Sequence, residues 1–163
     1  MEIRKIQKTD DFNAISRIYA LSWKAAYKNI VPQQFLDELP EDKWADILKN
    51  SIYDNFVMTL NDEYIGTSGI CPARDEGMSG WGEIMSIYML PKYFGQGYGK
   101  MLLDNSISAL ANNGYNKVYL WTLERNVMAR RFYEKNGFVV LDRKMDSVGG
   151  TELICVRYVL SLE

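Results

Sequence analysis

The sequence predicts an α/β fold: a mixed, mostly antiparallel twisted sheet with a central parallel step and helices on both faces. Three observations carry this. Apolar residues alternate in hairpin-like pairs of runs near both ends of the chain. Between those pairs lies a strand–helix–strand unit, from Trp81 to Leu123, which forces one parallel step. The helical segments are apolar on one side only, so each needs a sheet face to cover it. At 163 residues the chain reads as a single domain, 1–163.

Taken in order, Ile3 to Ile6 is a short strand. Asp10 can cap a helix in which Phe12, Ile15, Tyr19, Trp23 and Ala26 recur at helical spacing. Pro32 reads as the first turn of a second helix, and Pro40 opens a third around Trp44 to Leu48. Tyr53 to Leu60 is rich in β-formers. Asn61-Asp62-Glu63 turns the chain, and Tyr64 to Ile70 returns as the hairpin partner. Arg74 to Gly80 is a loop, and Trp81 to Leu90 is a strand that Pro91 ends. A helix with the stripe Leu103, Ile107, Leu110, Ala111 follows and closes at Asn113-Gly114. Val118 to Leu123 is a strand. Asn126 caps a helix carrying Ala129, Phe132 and Tyr133, and Gly137 ends it. Phe138 to Arg143 and Thr151 to Leu160 are the last two strands, joined through Gly149-Gly150.

Composition excludes several classes. Lys and Arg number 19 against 21 Asp and Glu, which argues against a general nucleic-acid footprint. No apolar run exceeds four residues, and the charged N-terminus does not resemble a signal, so no membrane role and a cytoplasmic location are expected. Cys71 and Cys155 stand alone and read as small core residues. The chain has no histidine. Ser-His-Asp and Cys-His catalysis and any His-ligated metal are therefore ruled out, and no metal is expected.

The segment Lys92-Tyr93-Phe94-Gly95-Gln96-Gly97-Tyr98-Gly99-Lys100 joins a strand to a helix N-terminus. Alternate glycines allow close backbone approach, and the helix dipole attracts an anion. No acid occurs from Pro91 to Leu103, so a phosphate or pyrophosphate suits the loop. It is not a Walker loop, because Met101 follows Gly99-Lys100. It is not a Rossmann fingerprint, because Lys100 replaces the third glycine. A nucleotide-binding domain remains a rival reading.

A second segment runs from Asn126 to Phe138. Together the two resemble the GNAT superfamily of acyl-CoA-dependent N-acyltransferases. The family's Gln/Arg-x-x-Gly-x-Gly/Ala motif is met at Gly97 and Gly99, with Phe94 in the Gln/Arg position. Its Asn-x-x-Ala-x-x-x-Tyr-Glu/Lys-Lys-x-Gly-Phe pattern is met at Asn126, Ala129, Tyr133, Lys135, Gly137 and Phe138. The resemblance covers nearly the whole chain, and the element order agrees with the family's fold. It implies direct transfer of an acetyl group from acetyl-CoA to an amine. A non-catalytic acyl-CoA-binding domain of the same fold is the alternative.

The resemblance also implies residue roles. The cofactor would be held by Tyr88, Met89, Gly95, Gln96, Gly97, Tyr98, Gly99, Lys100, Asn126, Ala129, Phe132, Tyr133 and Lys135. The backbone N–H of Met89 would stabilise the oxyanion, and Tyr133 would protonate the leaving thiolate. Glu83 is the candidate base. In a regular strand it shares a face with Met85, Ile87 and Met89, and an apolar face raises a carboxyl's pKa. Its place 14 residues before Gly97 resembles the catalytic glutamate of the family's histone acetyltransferases. Trp23, Tyr27 and Glu83 would meet the acceptor, a small-molecule amine or a protein or peptide amine. Assembly as a homodimer is compatible with the sequence.

Overall fold

A clasp fixes the start of the chain. In the computed structural model, which describes residues 1–162, β1 (Glu2–Lys5) precedes α1 (Phe12–Ala26). The cap of α1 is Asp11, whose side chain accepts from the Ala14 N–H at 3.0 Å. Asp10, the residue expected there, instead takes a two-pronged ion pair from Arg4 at 2.8 and 2.7 Å. Two short helices follow, α2 (Gln33–Asp37) and α3 (Ala45–Lys49). Next come β2 (Asp54–Leu60), β3 (Glu63–Pro72), β4 (Gly82–Met89), α4 (Tyr98–Asn112) and β5 (Lys117–Leu123). The chain continues through α5 (Val127–Lys135), β6 (Val139–Val148) and β7 (Thr151–Ser161). β6 runs five residues past the Arg143 expected from its apolar pattern, because β7 pairs with it out to Val148↔Thr151.

The seven strands form one sheet in the order β1-β2-β3-β4-β5-β7-β6. Every neighbour is antiparallel except β4 and β5. Helices cover both faces. On one, Leu103 and Leu110 of α4 and Tyr133 of α5 pack with Ile84, Val118, Leu120, Phe138, Val156 and Tyr158. On the other, Ile15 and Tyr19 of α1 pack with Leu48 of α3, Val57 and Tyr88.

Two irregularities in β4 shape the centre of the sheet. The first is a bulge. Gly69 pairs with Ser86 but Ile70 pairs with Ile84, which leaves Met85 as an extra residue on β4. The second is a split. β4 pairs with β5 only at Gly82↔Val118 and Glu83↔Tyr119, and the two parallel strands then diverge. From Ile84 onward a wedge opens through the sheet.

Candidate active site

A cavity of about 560 Å³ fills that wedge. Residues of β4 line it on one side, and Leu120, Trp121 and Thr122 of β5 line it on the other. From the α4 side it is reached past the glycine loop and α5, and from the opposite side past Ser22, Trp23 and Ala26 of α1 and its C-cap, Tyr27. The split therefore joins the two faces of the sheet at one point.

On the α4 side the glycine loop is shaped for an anion. Gly95 and Gly97 lie at φ +73° and +88°, and Gly97 is the N-cap of α4. A Cβ at either would meet nothing within 4 Å, so packing is not the reason for glycine there. The left-handed backbone is. A Cβ on Gly99 would lie 3.7 Å from Phe132, an ordinary contact, yet Gly99 lines the cavity. Lys100 and Lys135 add positive charge to the same lining. Lys100 also pairs with Asp104 at 2.6 Å on the exposed face of α4. Asn126 lines the cavity while its side chain caps α5 through the Ala129 N–H at 3.3 Å. These features fit a phosphate-bearing ligand whose chain continues into the wedge.

At the wedge itself, the backbone of Met89 is free for a ligand. The Leu90 N–H bonds the Ile65 carbonyl at 2.8 Å, on the β3 side. Successive residues of a strand aim their amides to opposite edges, so the Met89 N–H points toward β5, which has already parted from it. Tyr133 lines the cavity from α5, and burial pushes its hydroxyl pKa above the ordinary phenol value. It is therefore protonated at neutral pH. Tyr88 and Tyr27 line the cavity too, and burial raises both in the same way.

Thirteen of the sequence-predicted residues line this one cavity: Trp23, Tyr27, Tyr88, Met89, Gly95, Gly97, Gly99, Lys100, Asn126, Ala129, Phe132, Tyr133 and Lys135. Gln96 does not; it turns out and donates to the Lys92 carbonyl at 2.9 Å. Tyr98 also lies outside the lining and meets Tyr93 edge to face.

The placement of Glu83 corrects the sequence reading. The bulge at Met85 reverses the alternation, so Glu83 does not share a face with Ile87 and Met89. It points instead with Tyr119, on the side of α1. There it is 2% exposed and outside the cavity lining. Arg74 grips it from Nε at 3.1 Å and Nη2 at 2.6 Å, its own backbone N–H adds a bond at 3.1 Å, and Tyr119 donates at 2.8 Å. Both carboxylate oxygens are occupied. Neighbouring Cys71 is buried, and burial pushes its thiol up to about 12, which leaves it an inert core thiol.

Sequence reasoning missed the β5 side of the wedge, Trp121 and Thr122, and it missed Asn136, Phe94 and Met128 as lining residues. The available signal for the first pair was the parallel step itself, since the strand facing Met89 across a split must supply the other wall.

The residues 14–138 match the family model described as Acetyltransferase (GNAT) family. The chain belongs to the GNAT acetyltransferase family. Its members are acyltransferases, and the similar proteins carry corresponding names. An uncharacterized N-acetyltransferase of Bacillus subtilis, YuaI, is 27% identical over 123 residues, covering 73% of this chain and 70% of the relative. The spermidine N(1)-acetyltransferase of Thermoplasma acidophilum is 24% identical over 87% of this chain and 90% of its own. Among solved structures, the PaiA N-acetyltransferase of Thermoplasma acidophilum in complex with coenzyme A superposes with a TM-score of 0.71. That match has 21% identity and covers 95% of this chain and 96% of that one. The acetyltransferase yncA of Salmonella typhimurium with acetyl-CoA gives a TM-score of 0.74 at 22% identity, over 99% and 94% of the two chains. In this GNAT chain, no described helix is long and apolar enough to cross a membrane.

Proposed function

We propose that the chain transfers the acetyl group of acetyl-CoA directly to a primary amine, with no acyl-enzyme. One observation carries this reading: the β4–β5 split brings the free Met89 N–H, the Tyr133 side chain and the glycine-capped start of α4 to a single cavity. Acetyl-CoA supplies an activated acyl group as a thioester; the rest falls to the chain. The start of α4, with Lys100 and Lys135, holds the phosphates. The Met89 N–H is a fixed donor for the negative charge that develops on the acyl oxygen. Tyr133, kept protonated by burial, donates to the departing sulfur. Among the described residues no Asp or Glu lines the cavity, so the amine loses its proton through water. Glu83 is a positioning residue that ties the Arg74 loop to Tyr119 at the point where β4 and β5 part.

The test is thiol release from acetyl-CoA with Tyr133→Phe beside wild type. The variant keeps the ring and loses one hydroxyl, so it melts close to wild type. Turnover falls at least about tenfold while acetyl-CoA affinity stays within about twofold. Equal turnover by the two proteins removes Tyr133 as the acid. Absence of both acetyl-CoA binding and thiol release in wild type overturns the whole reading.

A further inference from the structure

The two ends of the cavity differ in chemistry. The α4 end is basic, whereas the end reached past α1 is aromatic. Trp23 and Tyr27 meet edge to face there with ring centroids 4.9 Å apart. Trp23 Nε1 is buried close to the Tyr88 hydroxyl, without a well-formed hydrogen bond. Across the wedge stands Trp121, and its indole is fixed by three groups. Its Nε1 donates to Asp75 Oδ2 at 2.6 Å. The Lys144 ammonium lies 4.3 Å, and the Arg157 guanidinium 4.9 Å, from its ring centroid.

These contacts also decide the charge of the wall. Glu83 is bound to Arg74, Asp75 to Trp121 and Arg157, and Asp142 to Arg157. Among the described residues, no carboxylate lines the cavity. A polyamine or aminoglycoside brings several ammonium groups, and each needs an anionic partner to offset its lost hydration. Among the described residues the cavity lining offers none. A flat aromatic body bearing one amine finds complementary ring edges and faces, and only its single amine must reach Tyr133 and Met89.

We propose that the acceptor is a primary monoamine carried on an aromatic body, and that Trp121 is the residue that selects it. This rests on the acetyltransferase reading above. The experiment measures thiol release by the full chain with 2-phenylethylamine, spermidine, kanamycin and an alanine-first peptide. The aromatic monoamine is expected to exceed the other three in kcat/KM by at least about tenfold, a margin of about 1.4 kcal/mol. Trp121→Leu, with a melting curve recorded beside it, raises the KM for 2-phenylethylamine at least about tenfold and leaves that for acetyl-CoA within about twofold. Trp121→Phe restores most of the loss. Turnover that favours spermidine, kanamycin or the peptide overturns the acceptor class while leaving the acetyltransferase reading standing. So does acetyl-CoA binding with no turnover of the aromatic amine. An unchanged amine KM in a folded Trp121→Leu variant removes Trp121 as the selecting residue.

Discussion

Glu83 and Gly99 show how a single side chain is read differently before and after its surroundings are known. Glu83 has the residue type and chain position of a base, yet its oxygens are spent on Arg74 and Tyr119. Glu83→Gln keeps the shape and loses the charge that the Arg74 guanidinium faces. It is expected to cost about 1–3 kcal/mol of stability, the scale of hydrogen bonds to charged groups. The pH profile of kcat should keep its wild-type form. A fall of about 10² to 10⁴ in kcat with loss of a pH-dependent limb would instead return Glu83 to the role of base. Gly99 is the converse. A methyl group there has room in the free protein, 3.7 Å from Phe132, and alanine is the better helix former. Gly99→Ala should therefore melt no lower than wild type while binding acetyl-CoA at least about tenfold more weakly. Calorimetric melting and titration of the same sample check both halves.

Between elements, a few contacts fix how strands and helices meet. The Arg4–Asp10 clasp ties β1 to the start of α1, and Asp10 also accepts from the Gln7 N–H and the Tyr64 hydroxyl. The Arg4 hydrogen bonds lower the Asp10 carboxyl to about 2. A carboxyl depressed on folding stabilises the native state above its unfolded pKa of about 3.9, and that stability is lost as pH falls toward 2. The shift corresponds to about 2 kcal/mol. Asp10→Asn should lower stability at neutral pH and flatten the loss between pH 4 and pH 2. Urea titrations at stepped pH test this, and parallel curves for the two proteins would contradict it. At the other end of the sheet, the β6–β7 turn leans on α2. A Cβ on Gly149 would come within 2.7 Å of Phe35, so the hairpin tip and α2 are packed as one piece.

For the whole molecule, the split in the sheet is a stability cost that a ligand offsets. Opening β4 from β5 leaves the Met89 amide without a strand partner and a cavity between two core clusters. A ligand that binds only the native state at 100 times its dissociation constant adds about 2.7 kcal/mol. For a chain of this length that is a rise of roughly 5–10 °C in Tm. Acetyl-CoA and CoA should both produce it, and ATP at equal concentration should produce far less. A Tm indifferent to acetyl-CoA would count against the cavity as a cofactor site.

What the sequence determined by itself was whatever depends on local periodicity and backbone chemistry. Alternation and one-sided helical stripes gave the strands and helices, and the order of elements required one parallel step. The glycines before α4 and the Asn126 cap located the basic end of the cavity, because φ freedom and helix caps are properties of a few adjacent residues. Tertiary structure decided which way side chains point and what they meet. One inserted residue at Met85 reversed the face of Glu83, and no periodicity within β4 reveals a bulge that exists only in its pairing with β3. Trp121 became a wall because β5 parts from β4, and Asp75, Lys144 and Arg157 that hold it come from a loop and two distant strands. Contacts between residues far apart in the chain leave no spacing to read, and the aromatic end of the cavity is made of them.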